Sequence, residues 1–503
     1  LLVSACGADG IGGIVGSLGM SNGPPPEGTL LQSPVQLLST VTAPTLLAEL
    51  NVATHQQLLA LSGAPVCDVL IYTIQYETVG GANDPTTASG ALMVPSGLGS
   101  TCTGARPIVL YAHGTSTERT FSMADLSNDE ALALAAVFAS QGYIVVAPNY
   151  AGYDSSTLTY HPYLVAEQQS KDMTDALKAA RTALPLVSAT LTRDNGKLFI
   201  TGYSQGGYVA MATHRAMQAA GMTVTASAPM SGPYALAAFA DALFYGDVNG
   251  GAPISTTLLI TAYQATYGNI YAQATDVFEP QYATGIQSLL PTTLTRSELY
   301  SQGLLPQYAL FSLTPPAPQF AAVTPPTSPA DLAAVFALGF GADNLIQNSY
   351  RLGYLEDAVA NPDGGFPALT TGVATLSAQQ PLRQALQRND LRDWNPVAPL
   401  QLCGGALDPV VFFFNTQLMQ GYWAAHAPAS ASIGVLDLES AAGTNDPYAS
   451  LKQDFELAKE AVAAAAVAQG ASDGGFSAVA TAYHATLVAP FCLAATRSFF
   501  AKY

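Results

Sequence analysis

The chain has 503 residues, with 17 lysines and arginines against 35 aspartates and glutamates, a formal net charge of −18; 10% of residues are charged and 49% are apolar. Soluble domains are usually charged at about a quarter of positions, so uncharged polar side chains must cover this surface. The apolar share excludes disorder, the negative sign opposes nucleic acid and anionic membrane surfaces, and no unbroken run of 18 apolar residues is present. Length allows one large domain with an insertion, or two or three domains.

The chain opens Leu1-Leu2-Val3-Ser4-Ala5-Cys6-Gly7. This resembles the lipobox that ends a bacterial lipoprotein signal peptide, which implies lipidation at Cys6. The Gly-, Pro- and Ser-rich stretch that follows reads as a flexible tether. The alternative is a signal-peptide remnant with an incidental cysteine. Either way, residues 1–28 are set aside from the fold and an exported protein is implied. Residues 29–66 form an N-terminal extension. Four cysteines remain. Cys67 precedes a predicted strand over 70–76 and Cys102 follows another over 90–94. Antiparallel pairing of these strands would bring the two cysteines together, so a Cys67–Cys102 bridge is predicted. Cys403 and Cys492 flank the last two catalytic candidates and form the second predicted pair, Cys403–Cys492. Buried free thiols are the alternative. Cys-x-x-Cys is absent, which leaves redox and zinc-ribbon chemistry without support.

From residue 104, short β-branched runs alternate with alanine-rich helical stretches. Strands are predicted over 107–112, 143–147, 197–201 and 223–229, with helices over 128–141, 163–183 and 207–220. That alternation implies a parallel sheet with helices on both faces. It stops over residues 234–395, where helical pieces, many tyrosines and glutamines and a proline-rich stretch contain nothing that reads as a parallel strand. The pattern resumes with a strand over 397–402, a helix over 411–427 and a strand over 432–438. A long excursion over 440–479 includes a helix over 451–469, and a terminal helix covers 487–501. One sheet interrupted by one insertion is the economical reading, with core segments 67–233 and 396–503.

The sharpest signal is Gly202-Tyr203-Ser204-Gln205-Gly206, a Gly-x-Ser-x-Gly between a strand and a helix. The turn is tight enough to strain the serine, and glycines two positions either side admit close backbone approach. Ser204 is thereby the candidate nucleophile, beside a helix N-terminus that favours developing negative charge. His113-Gly114-Thr115 lies at the end of the 107–112 strand. The backbone N–H groups of Thr115 and Gln205 are the candidate oxyanion donors, and His113 reads as an ordinary loop histidine. A serine needs a histidine base, itself oriented by a carboxylate. His55, His113 and His161 precede the serine, contrary to the order Ser…Asp…His. His214 is carried away along the helix after Ser204, and His426 sits near a helix end. His484, after the last strand and just before the terminal helix, is the candidate base. Asp408, beyond the 397–402 strand, is the candidate acid. Asp437 lies within a strand that would point it into a helix layer or the core, and Asp446 falls in a polar loop.

Together, Gly-Tyr-Ser-Gln-Gly-Gly, His-Gly-Thr, His161-Pro162-Tyr163-Leu164 and Asp393-Trp394-Asn395-Pro396 resemble the α/β-hydrolases, and among them the secretory lipases of the yeast lipase A type and their bacterial secreted lipase/esterase relatives. The resemblance implies an α/β-hydrolase fold with a large, mainly helical cap between the sixth and seventh core strands, here residues 234–395. It also fits a disulfide near acid and base. The implied activity is carboxylester hydrolysis on uncharged esters through an acyl-enzyme on Ser204. Tyr203 and Phe412 are candidates for substrate contact. For the run Phe412-Phe413-Phe414 the alternative is core packing. No cofactor, metal, nucleic acid or protein partner is implied, and the only membrane link is a tether through Cys6. A peptidase of the same fold, or an inactive surface-bound ligand-binding module, are the competing readings.

Overall fold

Two extended runs on either side of Gly80-Gly81 fold into a long hairpin, β2 (Asp68–Val79) and β3 (Pro85–Ser96), paired antiparallel from Asp68↔Ser96 to Val79↔Pro85. The turn closes through Gly80 N–H to the Asp84 carbonyl at 2.7 Å. This register brings together the residues just outside the hairpin's open end, where Cys67 is bridged to Cys102. The computed structural model describes residues 25–187, 191–330 and 332–503; Cys6 and most of the tether expected over 1–28 lie outside them.

The other strands are β1 (Gln36–Val41), β4 (Gly104–Ala112), β5 (Ile144–Pro148), β6 (Thr192–Tyr203), β7 (Ala226–Met230), β8 (Leu400–Gly404) and β9 (Ile433–Asp437). They form one sheet in the order β1-β2-β3-β5-β4-β6-β7-β8-β9. Pairing is antiparallel up to the β3–β5 contact and parallel from β5 to β9. The N-terminal extension is not a separate appendage. It contributes the edge strand β1 and two short helices, α1 (Ala43–Leu50) and α2 (Gln56–Ser62).

The central strands are buried on both faces, which is why they read as unbroken apolar runs. In β5, Ile144 and Val146 enter one core layer while Val145 and Ala147 enter the other; Ile108 and Leu110 of β4 likewise oppose Val109 and Tyr111. The flanking helices are α3 (Asp129–Val137), α4 (Ala166–Ala183) and α5 (Gln205–Ala219). The helix expected from 163 begins at Ala166 because Leu164 sits at φ 54°. The one expected to reach 141 gives way at Phe138 to a 3-10 turn ending at Gly142, φ 92°.

The insertion between β7 and β8 is helical, with α6 (Leu236–Phe244), α7 (Ala252–Tyr267), α8 (Pro280–Ala283), α9 (Arg296–Ser301), α10 (Ala333–Ala337), α11 (Asn348–Ala360) and α12 (Pro381–Arg388). Part of this charge-poor chain's charge is spent inside it. Arg383 bridges Asp241 and Asp357 at 2.8 Å each, and Arg392 meets Asp363 at 2.9 Å and Asp390 at 2.8 Å, all buried. Removing one member of such a buried group strands the other charge, at a cost of about 3–5 kcal/mol.

Beyond β8 come α13 (Phe414–His426), α14 (Ala449–Ala468) and α15 (Phe476–Ala482). A π-helical segment (Tyr483–Val488) then leads into α16 (Ala489–Phe500). The run Phe476–Phe500 is long and apolar enough to cross a membrane by length and composition, but half of its most apolar window is buried. Phe491, Cys492, Leu493 and Phe500 are among the residues packed into the core beside the sheet.

Candidate active site

β6 ends at Tyr203 and α5 begins at Gln205, so a single residue, Ser204, makes the whole turn. Its backbone stands at φ 58°, ψ −122°, a conformation that a side chain tolerates only where the surroundings enforce it. The enforcement is visible on both sides. A Cβ on Gly206 would sit 1.9 Å from the Ala112 carbonyl oxygen, and one on Gly202 would meet Gly206 O at 2.3 Å. Ser204 N–H donates to Met230 O at 3.0 Å, tying the elbow to β7. The hydroxyl projects from the carboxyl ends of the parallel strands, beside the N-terminus of α5.

The structure brings Ser204, His484 and Asp408 together. His484 Nε2 lies 2.8 Å from Ser204 Oγ, and its Nδ1 lies 2.7 Å from Asp408 Oδ2. His484 and Asp408 are both buried. His484, expected between the last strand and the terminal helix, sits in the π-helical segment of a nearly continuous helical run. The extra residue per turn of a π-segment re-aims a side chain without ending the helix. Asp408 is fixed by its other oxygen, Oδ1, which accepts the N–H groups of Val410 at 2.9 Å and Val411 at 3.1 Å. Its competitor Asp437 does not point into the core: it terminates β9, where its Oδ1 accepts the N–H groups of Ala406 and Glu439 at 3.0 Å each. Asp437 thus supports the loop that carries Asp408. The Cys403–Cys492 disulfide joins β8, just before that loop, to α16, just after the histidine segment.

Thr115 and Gln205 lie beside Ser204 on the cavity wall. Gln205 opens α5, so its N–H has no intrahelical acceptor. His161 and Tyr163, met in sequence only as part of a shared motif, hold the side chains of both. His161, buried, accepts from Gln205 Nε2 at 2.7 Å while its Nδ1 faces Ala151 O at 3.0 Å, and burial lowers its pKa to about 3. The Tyr163 hydroxyl meets Thr115 Oγ1 at 2.9 Å. His113 lies in the loop after β4, as expected, where it is fully buried and stacked on Tyr150.

A cavity of about 790 Å³ opens over Ser204 and His484. Leu236, Phe239, Leu243, Ile254 and Leu259 of the insertion line its apolar part, while His55 and Gln57 of the N-terminal extension and Asp129 and Glu130 of α3 line another part. Tyr203 lies on the wall, but its hydroxyl is engaged by the main-chain oxygen of His484. Phe412 is not on the wall. It is packed behind Phe239, ring centroids 5.5 Å apart, and against Phe336 and Phe414, in agreement with the core-packing alternative.

The sheet order, the elbow after a central strand and the helical insertion before β8 decide the architecture. The chain is an α/β-hydrolase. Residues 131–245 match the Peptidase_S9 model, the prolyl oligopeptidase family. Among solved structures, a mutant of the rice cell wall degrading esterase LipA from Xanthomonas oryzae is 25% identical, covering 95% of this chain and 99% of that one, with a TM-score of 0.68. A ligand-bound form of that esterase is 26% identical over 85% of this chain and 95% of that one, TM-score 0.64. A protein from Legionella pneumophila, 18% identical over 94% and 97% of the two chains with a TM-score of 0.63, shares the fold. No curated protein sequence matches this chain.

Two features of the hydrolase site escaped the sequence. Glu130, whose carboxylate accepts Gly114 N–H at 3.0 Å and the Tyr111 hydroxyl at 2.7 Å, lay in what read only as a helix start. The insertion is also stitched to the His-Gly-Thr loop: Thr292 N–H donates to Thr117 O at 2.8 Å and its carbonyl accepts Arg119 N–H at 2.7 Å. No sequence pattern announces either contact: Glu130 reaches back 16 and 19 positions to Gly114 and Tyr111, and Thr292 belongs to a different part of the chain altogether.

Proposed function

We propose that this hydrolase cleaves uncharged carboxylic esters by acyl transfer through Ser204. The observation that carries the reading is the chain of two short contacts, Ser204 Oγ to His484 Nε2 and His484 Nδ1 to Asp408 Oδ2, beside a cavity with an apolar wall. His484 takes the Ser204 proton as Oγ attacks the ester carbonyl, and Asp408 stabilises the resulting imidazolium. The N–H groups of Thr115 and Gln205 receive the oxyanion, each such donor being worth on the order of 3 kcal/mol. The imidazolium then protonates the departing alcohol. Water, deprotonated by the same histidine, releases the acid and restores the serine.

The match to the prolyl oligopeptidase model favours peptide cleavage as the second reading, but it covers 131–245 alone, the stretch that includes the elbow. A peptidase of this fold usually carries a propeller or a pair of carboxylates that grips the substrate's amine. Of the two on this wall, Glu130 is committed to Tyr111 and Gly114, and Asp129 is exposed, 3.9 Å from His55 Nε2. The likeness to an esterase over nearly the whole chain also supports ester chemistry. The two disulfides suit an exported, oxidising setting. The insertion serves as a cap over the acyl group, and the tether through Cys6 remains part of this proposal.

A fluorophosphonate probe should label the intact protein and fail to label Ser204→Ala. Among p-nitrophenyl esters of increasing chain length and peptide amides, esters should be cleaved faster. An unlabelled intact protein would sink the enzyme reading, and faster amide turnover would install the peptidase.

A further inference from the structure

Gly114 stands between two side chains that take no direct part in the acyl transfer. On one side, Glu130 Oε1 and Oε2 lie 3.0 and 3.3 Å from Gly114 N, and Oε1 also accepts the Tyr111 hydroxyl. On the other, His113 Nδ1 lies 2.6 Å from Gly114 O. Both nitrogens of His113 face carbonyl oxygens, the second being Asn149 O at 3.1 Å, and burial holds the ring neutral with a pKa lowered to about 4. One proton therefore serves two acceptors, and the shorter contact takes it. In a trans peptide the C=O and the following N–H point in opposite directions. Pinning Gly114 O onto His113 turns the Thr115 N–H the other way, away from that ring, and Thr115 itself lies on the wall of the cavity that holds Ser204.

The carbonyl contact fixes only one end of that peptide plane. Its tilt depends on the preceding peptide, whose N–H is held by Glu130. We infer that Glu130 is a positioning residue for acyl transfer, setting through Gly114 the direction of the Thr115 N–H that receives the oxyanion. This rests on the acyl-transfer reading of Ser204. Glu130 reaches the loop from the second position of α3, whose start is fixed by Asn128 Oδ1 accepting Glu130 N–H at 2.9 Å. A carboxylate on a capped helix is a stiffer support than a loop residue would be.

Ionisation matters to this role, since an ionised carboxylate accepts both Tyr111 and Gly114 without competition from a proton of its own. Burial pushes the Glu130 pKa up to about 7, opposed by the hydrogen bonds from Tyr111 and Gly114. The titratable groups around it are Tyr111 of β4, Tyr150 after β5, Tyr203 of β6 and His113. Asp129 of α3, His55 of α2, His484 and Arg296 of the insertion share the cavity wall. Protonation of Glu130 then lowers activity as pH falls through about 7.

The test compares Glu130→Ala and Glu130→Gln with the intact enzyme on a p-nitrophenyl ester, together with binding of an aryl boronic acid, whose serine adduct places an oxygen where the oxyanion forms. Glu130→Ala should lose roughly 10- to 100-fold in kcat with KM unchanged, and boronate affinity should fall in parallel. Glu130→Gln, a neutral stand-in for the protonated acid that keeps one acceptor for Gly114, should recover only part of that loss. The acid-side fall in kcat/KM that protonation of Glu130 adds to the intact enzyme around pH 7 should be missing from its profile. Unchanged kcat and boronate affinity in Glu130→Ala would overturn the inference, as would a rise in KM alone. So would a Glu130→Gln profile identical to that of the intact enzyme, which decides the matter should the alanine variant fold poorly. Failure of the acyl-transfer reading is separately visible, because the intact protein would then react with neither ester nor fluorophosphonate.

Discussion

The phenol of Tyr203 donates to the main-chain carbonyl of His484, so the residue before the proposed nucleophile holds the backbone of its proposed base. The two rings lie 5.0 Å apart between centroids, and the Tyr203 oxygen also comes within 3.5 Å of His484 Nδ1. Elbow and base are therefore one mechanical unit, although 281 positions separate them. Tyr203→Phe keeps the ring and removes the donor. The loss of one hydrogen bond of about 0.5–1.5 kcal/mol should lower kcat roughly 2- to 10-fold without changing KM. Steady-state kinetics on a p-nitrophenyl ester checks this, with an unchanged melting temperature showing that the fold is intact.

Asp408→Asn should be far more damaging than its size suggests. Oδ1 is committed to the N–H groups of Val410 and Val411, so an asparagine would keep its carbonyl there and turn its amide nitrogen towards His484. A donor facing Nδ1 forces the imidazole to carry its proton on Nε2, which can then no longer accept from Ser204. A fall in kcat of about 10⁴-fold is expected, with ester binding retained. A loss below tenfold would mean that Asp408 does not set the tautomer.

The disulfide Cys403–Cys492 spans 89 positions and clamps the strand leading to Asp408 onto the helix following His484. Replacing both cysteines with serine should cost about 2–5 kcal/mol of stability, the range for losing a native bridge. Because both ends flank the acid–base pair, kcat should also fall at temperatures where the protein remains folded. The bridge Cys67–Cys102 closes only the hairpin end, so its serine variant should lose stability while keeping kcat. Paired denaturation curves and kinetics separate the two.

The α/β architecture was legible because both faces of each central strand are buried and leave unbroken apolar runs. Ser204 was legible because a one-residue turn admits so few neighbours that glycine must recur on either side. The roles of Glu130, His161 and Tyr163 were not, since each acts through a contact 16 to 48 positions away with a side chain of ordinary composition. The π-segment at His484 was hidden for another reason: its residues have the same helical preferences as those around it. Phe412 shows the converse, an aromatic run beside the acid whose first member packs behind Phe239 and leaves that residue to form the wall.

Phe239 is accordingly the residue to change in order to move acyl-chain preference. It comes from α6, lines the cavity and is backed by Phe412 and Phe414. Phe239→Ala should open room for longer acyl chains, each added methylene that finds cover being worth about 0.8 kcal/mol. Phe239→Trp should shift the optimum to shorter chains. The series of p-nitrophenyl esters reads both, and an unmoved optimum in both variants would place the acyl group elsewhere.

Asp172 offers a test of stability rather than catalysis. It is fully buried in α4, accepting the Tyr76 hydroxyl and Ala151 N–H at 2.6 Å each, and burial raises its pKa from 3.8 to about 7 against those hydrogen bonds. In the unfolded chain the group titrates near its ordinary value, so between about pH 4 and 7 the folded state binds the extra proton. Its contribution to stability is therefore present at acid pH and is lost as pH rises through 7. Asp172→Asn removes that titration, and the difference in unfolding free energy between variant and intact protein should move in favour of the variant by up to a few kcal/mol from pH 5 to pH 8. Urea denaturation at the two pH values measures it. A difference that stays constant would mean that the hydrogen bonds from Tyr76 and Ala151 outweigh burial and keep Asp172 ionised throughout.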